Sequence, residues 1–334
     1  MQALQDELDE TAERTGFSGA VRLDVAGEMR LCAAYGYADR AHQIPATAET
    51  LFATASATKT LTALTVLALA ERGQLELGTT ARSLLGDDLP LIAPDVTVEH
   101  LLAHRSGIGD YLDEDAGGDV SDYVMPVPVH QLASTEQYLP VLDGHPTVSP
   151  AGERFAYNNA GYVVLALLAE RASGIAFDEL LRTLVCEPAG MVDTAFLRSD
   201  ELPGRAALGY LSVDGLRTNV LHLPVLGSGD GGIYSTVGDL SAFWDALWSG
   251  RIVSPGSVTE MVRPRSDWPS EERRYGLGLH LHATNDAVWM EGYDAGVSVT
   301  SLHQPSSSTT YTVVSNWSRG AWPIVSLLNR RLGT

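Results

Sequence analysis

"FATASATKTLTALTVLALAERG", residues 52–73, is the stretch from which the rest of this chain is read. From Lys59 to Arg72 it is apolar on nearly every side and it closes at Gly73, the pattern of a helix buried all round with a glycine C-cap. Ser56 falls at or just before the first turn of that helix. Lys59 is the only lysine in the protein, every other cationic side chain being Arg. A guanidinium cannot give up its proton in a protein, whereas a buried amine can, so a site that needs a base has reason to keep Lys where Arg serves elsewhere. Residues i and i+3 share a helix face, which lets the Ser56 hydroxyl meet the Lys59 amine as nucleophile and base. An ordinary Lys amine has a pKa of about 10.4, so a base working near neutrality needs its charged form raised by about 4 kcal/mol, which desolvation under a core helix can supply.

Outward from this helix, residues 2–14 read as an amphipathic helix, and "SGAVRLDVAG" with "EMRLCAAYGYAD" (18–39) as a β-hairpin around a glycine turn. Near the other end "YGLGLHLHA", "AVWMEGYD", "AGVSVTSLHQ" and "TTYTVVSNW" (from 275 to 317) alternate as antiparallel strands, and "PIVSLLNRRL" (323–332) closes as a helix. Between them lie helices at "TVEHLLAHRSG" (97–107, N-cap Thr97), "AGYVVLALLAERASG" (160–174) and "GDLSAFWDALWSG" (238–250). The expected fold is mixed α/β, of the α+β type. An antiparallel sheet drawn from both termini (1–80 and 225–334) is flanked by helices, with a mostly helical lobe (81–224) inserted and a cleft between. The acidic, Gly- and Pro-rich loop "DEDAGGDVSDYVMPVPV" (113–129) is a candidate lid over that cleft.

With 334 residues and 45% hydrophobic content the chain can bury a large core. Its 42 acidic against 22 basic residues give a formal charge of −20, which argues against nucleic acid and anionic membranes as partners. The N-terminus carries acids where a secretory signal needs bases, and no apolar run reaches spanning length, so a cytoplasmic protein is expected. Cys32 and Cys186 have neither metal nor redox spacing and are expected to be buried thiols. No cofactor and no metal is expected.

A second cluster stands at "GERFAYNNAGYVVLALLAE" (152–170), where Tyr157, Asn158 and Asn159 precede an apolar helix. That position points side chains into a cleft, although an Asn there can equally be a plain N-cap with Tyr157 packing locally. Other signals are weaker. "GSGDGG" (227–232) matches a nucleotide-loop pattern but lacks a βαβ context and reads as a tight turn. His100 and His104, spaced i and i+4 on one helix face, lack the Glu that zinc proteases place after the first His; they and the His280/His282 pair read as satisfied surface or core histidines. No Gly-x-Ser-x-Gly elbow is present.

Taken together these segments resemble the serine β-lactamase and penicillin-binding-protein superfamily, in its class C β-lactamase-like branch of esterases, D-amino-acid peptidases and transacylases. The resemblance runs over nearly the whole chain. Residues 52–77 are similar to the family's nucleophile helix, "TVEHLLAHRSGIGDY" to its Leu-Leu-x-His-x-Ser-Gly segment, and "RFAYNNAGYVVLALLAERASG" to its Tyr-x-Asn loop and helix. "EPAGMVDTAF" (187–196) is similar to its Pro-Leu-Gly-Met-x-x-Thr turn, and "GDGGIYSTVGDLSAFWDALWSGRIVS" (229–254) to its Gly-Gly-x-x-Ser-Thr segment. The resemblance implies a β-lactamase/transpeptidase-like fold with Ser56 as the acylated nucleophile and Lys59 as its base. Tyr157 would relay the proton to the leaving group, and Asn159 would bond substrate or Lys59. The family's third motif, a Lys or His two residues before a Gly, implies substrate-binding roles for Met290, Gly292 and Tyr293 in "MEGYDAGV" (290–297). The N–H groups of Ser56 and Tyr293 would then form an oxyanion hole worth about 3 kcal/mol per donor.

Met290 stands where the family places a cation, and Glu291 and Asp294 add negative charge beside it, which disfavours an anionic substrate. The expected activity is hydrolysis of a small neutral or cationic ester or amide through acyl-Ser56, with acyl transfer as a variant. The alternatives are a true β-lactamase or D-Ala-D-Ala carboxypeptidase, and a non-catalytic relative that binds an acyl compound. Retention of Lys59 in an otherwise all-Arg chain favours the enzyme.

Overall fold

The apolar run after Ser56 forms a helix because its side chains have a core on every side and its threonines find partners. In the computed structural model, which describes residues 2–114, 117–268, 271 and 273–334, α1 spans Gln2–Thr15 and α2 spans Thr58–Glu71. Every residue of α2 from Thr58 to Leu69 is buried. Its hydroxyls are not stranded: Thr60 Oγ1 donates to Gly278 O (2.7 Å), Thr62 Oγ1 to Gly229 O (2.6 Å) and Thr65 Oγ1 to Leu61 O (2.9 Å). Gly73, at φ +70°, takes the left-handed position after the last turn.

The main sheet has eight strands, numbered here β1 (Gly19–Val25), β2 (Glu28–Tyr35), β3 (Ser266–Trp268), β4 (Arg273–Tyr275), β5 (His280–His282), β6 (Val288–Asp294), β7 (Val297–Gln304) and β8 (Thr309–Ser315). Their order is β2-β1-β8-β7-β6-β5-β4-β3, antiparallel at every pairing, so the first hairpin and the C-terminal strands share one sheet through β1 and β8. The single strand expected over residues 275–283 is two short ones, because Gly276 N bonds Leu279 O across a turn in which Gly278 has φ +80°. β3 and β4 extend the sheet beyond what alternation marked.

Helices cover both faces. Leu8 and Phe17, with Ile324 and Leu328 of α5 (Ala321–Leu332), pack on Val21, Leu23, Tyr311 and Val313. The opposite face meets α2 and α4 (Val237–Trp248), where Trp244 Nε1 donates to Ser301 Oγ (2.9 Å), and α3 (Asn159–Ser173) packs on α2. Asn158 caps α3 by accepting from Gly161 N (2.7 Å), and Gly174 ends it at φ +73°. A small sheet joins Phe52–Ala53, just before the Ser56 turn, to Ile233–Ser235 and Ala195–Phe196. No single helix among the described residues is long and apolar enough to cross a membrane.

Two expectations are corrected here. Cys186 is buried but Cys32 is exposed, because it lies on edge strand β2, where strand alternation turns it away from the side on which its neighbour Leu31 is buried. His100 and His104 do not share a helix face: the helix ends at Leu102, and His104, at φ +53°, turns the chain away.

Candidate active site

Ser56 sits on a one-turn 3-10 helix (Ala55–Ala57) immediately before α2, entered through Ala55 in the left-handed region at φ +44°. The turn is pinned from both sides. Thr54 N and Oγ1 donate to Ile233 O (2.9 and 3.0 Å), and Ile233 N donates to Thr58 Oγ1 (3.2 Å). Beyond its short pairing with β5, β6 presents a free edge against this turn, and Gly292 makes the approach possible. A Cβ there would lie 2.1 Å from Thr54 O and 3.1 Å from Ala57 N.

Lys59, 2% exposed, reaches back from the first turn of α2. Its Nζ donates to Ser56 Oγ (2.9 Å), Asn159 Oδ1 (2.7 Å) and the main-chain oxygen of Asp230 (2.7 Å). Three acceptors fill the three donors of an ammonium, and none of them is charged. Burial pulls the amine pKa below its ordinary value although Asp230, Glu114, Asp110 and Asp294 oppose it. Tyr157 hydrogen-bonds Ser56, and Lys59 Nζ stands 5.2 Å from the centre of its ring. Burial pushes the Tyr157 pKa well above 10, so the group beside Ser56 is a phenol at neutral pH rather than a phenolate.

The loop and helix around Tyr157 explain how it is held. His104 lies against its ring (centroids 4.3 Å apart), and His104 Nδ1 accepts from Asn158 N (3.0 Å). Asp110 sits on the N-terminus of α3, accepting from Asn159 N (2.6 Å) and Ala160 N (3.0 Å). Burial nevertheless pushes its carboxyl up to about 6.

Ser56 and Tyr157 open onto a cleft of about 510 Å³ that Gly292 and Tyr293 also line. Its charged walls are Glu114, Glu271, Glu291, Arg273 and Arg319. Arg273 is engaged by Glu271 (2.7 Å) and Glu291 (3.2 Å) and lies over Trp268, 4.9 Å from the ring centre.

Residues 4–325 match the family model described as Beta-lactamase. This chain belongs to the Beta-lactamase family. Its fold superposes on the penicillin binding protein from Bacillus halodurans with a TM-score of 0.91 and 32% identity, over 97% of this chain and 99% of that one. A penicillin-binding protein of Bacillus subtilis (strain 168) is 29% identical over 293 residues, 83% of this chain and 62% of that protein. The esterase EstB of Burkholderia gladioli is 33% identical over 219 residues, 61% of this chain and 53% of that enzyme. The chain thus spans between about half and three fifths of the length of these two relatives.

Against the family pattern, the assignment of Met290 changes, while Asn159 takes the second of the two roles the resemblance implied for it. Met290 does not line the cleft. It is 1% exposed and shares a sheet face with its ladder partners Ser301 and Thr312, against α4. Strand alternation sends Glu291 to the other face and into the cleft. Asn159, 3% exposed, has its amide oxygen on Lys59 and its amide nitrogen on Leu112 O (3.1 Å) and Glu114 Oε1 (2.9 Å), so it positions Lys59. Asp110 and Arg273 are site residues that no local pattern marked, and Asp230 and His280 lie in stretches that read as a tight turn and as a plain histidine pair. The loop proposed as a lid carries Glu114 into the cleft wall, while residues 115 and 116 lie outside the described residues.

Asp294 ends β6 with its carboxyl pushed up to about 7, chiefly by burial and further by Glu114 and Asp230. An Asp with an ordinary pKa of 3.8 holds its proton longer when folded than when unfolded. Its contribution to stability is therefore lost as pH rises from about 4 through 7. Asp294→Asn is expected to raise the melting temperature relative to wild type by a few degrees at pH 8 and by much less at pH 4. Thermal denaturation at the two pH values checks this, and a gain independent of pH would contradict the assignment.

Proposed function

We propose that this chain is a serine hydrolase that passes through acyl-Ser56 on a small ester or amide. The observation that carries the reading is the Ser56 Oγ to Lys59 Nζ contact of 2.9 Å, made by a buried amine whose pKa is lowered. Neutral Lys59 takes the Ser56 proton as Oγ bonds to the substrate carbonyl carbon. The oxyanion is received by the N–H groups of Ser56 and Tyr293, across the contact that Gly292 permits. Collapse breaks the bond to the leaving group, which takes a proton from the Tyr157 phenol, and the phenol is reprotonated from Lys59. Water then enters by the same route in reverse and releases the acid. In this reading the reaction runs in the cleft between the sheet lobe (1–80 and 225–334) and the helical lobe (81–224).

The cleft chemistry supports a neutral or cationic substrate. Its three carboxylates outnumber its two guanidiniums, and Arg273 is already engaged by two of those carboxylates. The esterase relative agrees with this; the penicillin-binding relatives, and Arg319 with only a 3.9 Å contact to Asp119, favour a β-lactam or D-alanyl peptide as the second reading. Turnover of p-nitrophenyl butyrate beside nitrocefin, with mass spectrometry of the quenched protein, separates them. The ester is expected to add an acyl mass to the Ser56 peptide and to have a kcat/KM at least about a hundredfold above that of nitrocefin. Comparable rates would move the assignment to the β-lactam reading. No turnover and no adduct with either compound would leave a binding protein.

A further inference from the structure

A groove continues the Ser56 cleft beyond one ion-paired cluster. Glu271, Arg273 and Glu291 line both, and past them the groove encloses about 600 Å³. One wall comes from α5, through Asn329, and the other from the β5–β6 turn, through Ala283. Its floor is a face of the main sheet that carries Trp289 and Thr300. Thr300 is the ladder partner of Glu291 and shares its side of the sheet, so the strands themselves lead from the cleft into the groove.

A row of rings marks the same direction, starting at the reacting centre. Tyr157, Trp268, His280 and Trp289 follow one another with ring centres 6.0, 6.0 and 5.4 Å apart and planes inclined by 26°, 27° and 14°. The first three line the cleft and the fourth the groove. Tyr157 is the group that hands the leaving group its proton, so the row runs out on the leaving-group side. Burial holds His280 well below its ordinary pKa, which keeps the row uncharged. Arg273 lies against it, 4.9 Å from the ring centre of Trp268 and 5.8 Å from that of Trp289. Glu271 Oε2 accepts from Arg273 at 2.7 Å and Glu291 Oε1 at 3.2 Å, and a carboxylate has acceptor capacity beyond one such bond. Thr300 is 2% exposed, and its Oγ1 is enclosed without a hydrogen-bond partner among the described residues. A buried hydroxyl left unpaired costs stability, and a polar group in the groove would complete it. Two carboxylates against one guanidinium, together with that hydroxyl, favour N–H and O–H donors and disfavour an anion.

We propose that the groove is a leaving-group subsite, which holds the far end of an uncharged chain whose N–H or O–H groups meet Glu271, Glu291 and Thr300. The inference rests on the hydrolase reading above and specifies the leaving group of that ester or amide: an alcohol or amine extended by amide or hydroxyl groups, without a terminal anion. Every ester of one acid gives the same acyl-Ser56, so the groove acts on acylation and its effect falls on kcat/KM.

The test uses the butyrate esters of three phenols: 4-hydroxybenzamide, 4-hydroxybenzoyl-glycylglycinamide and 4-hydroxybenzoyl-glycylglycine. The para carbonyl is common to all three, so their reactivity toward hydroxide is nearly equal, and the two glycyl residues add roughly 7 Å of reach. The wild type is expected to favour the long amide over the short one in kcat/KM by at least about tenfold, and the long amide over the long acid by several-fold. Ala283→Trp fills the groove from a residue that does not line the cleft, and it is expected to bring the long-to-short ratio toward one. Thr300→Val keeps the shape and removes the hydroxyl, and it is expected to lower the ratio in part. Turnover of the short ester reports that each variant is folded. A ratio near one in wild type, a ratio that either folded variant leaves unchanged, or a long acid turned over as fast as the long amide would overturn the subsite while leaving the hydrolase in place. Turnover of none of the three esters would remove the hydrolase reading and this inference with it.

Discussion

Replacing Lys59 with Arg is expected to abolish ester turnover as completely as replacing Ser56 with Ala, a loss of about 10³–10⁴-fold in kcat/KM for either change. The charge is retained in Lys59→Arg, so a purely electrostatic role would survive it. A role as base would not, because a guanidinium stays protonated at any pH the protein tolerates. The pocket adds a steric reason: three acceptors at 2.7–2.9 Å enclose one ammonium-sized group that is 2% exposed. Groups that act as a unit are not additive, so Ser56→Ala/Lys59→Arg should be no slower than either single variant. Steady-state kinetics on the three proteins, with near-ultraviolet circular dichroism to verify the fold, checks this. Lys59→Arg retaining a tenth of wild-type turnover would assign Lys59 to charge alone.

Gly292→Ala is the second change with a large expected effect, and it touches no reacting atom. Its new methyl group would meet Thr54 O at 2.1 Å and Val299 Cγ1 at 2.8 Å, and Thr54 O belongs to backbone that the Ile233 hydrogen bonds hold in place. Relief has to come from β6 moving off the Ser56 turn. Displacements near 1 Å at a reacting centre cost about 10²-fold, so kcat should fall by that order. Overpacking should also cost about 1–3 kcal/mol of stability. Because Lys59 and Tyr157 stay where they are, the Ser56 hydroxyl should remain activated: a small fluorophosphonate should still label Gly292→Ala, whereas Lys59→Arg should resist it. Wild-type kcat in Gly292→Ala would mean that the β6 edge is not part of the reacting geometry.

Much of this protein was legible in its residues because the relevant signals are local. An i,i+3 spacing on a helix brings Ser56 to Lys59 whatever the rest of the chain does, and the uniformly apolar flank of α2 marks it as central. Alternation marked β1, β2, β6, β7 and β8, and the polar loop before α3 marked Tyr157. The same locality explains the misses. The i, i+4 spacing of His100 and His104 suggested one face, but the helix stops between them at Leu102. Strand period marks that Met290 and Glu291 face opposite ways, yet which of them meets the cleft depends on what covers each face of β6.

By itself the sequence determined a mixed fold with one sheet drawn from both ends, a serine–lysine pair at the head of a buried helix and a tyrosine-bearing loop, all encoded by periodicity, spacing and turn chemistry within a few residues. The tertiary structure alone decided the environment of that pair. Two of the three acceptors of Lys59 come from residues 100 and 171 positions away, and Arg273 and Arg319, rather than residue 290, bring positive charge to the cleft. Asp230 and Asp294 face one tyrosine-lined cavity from separate segments of the chain. Desolvation and charge pairing depend on everything packed around a group, so they become readable only once distant segments share a volume.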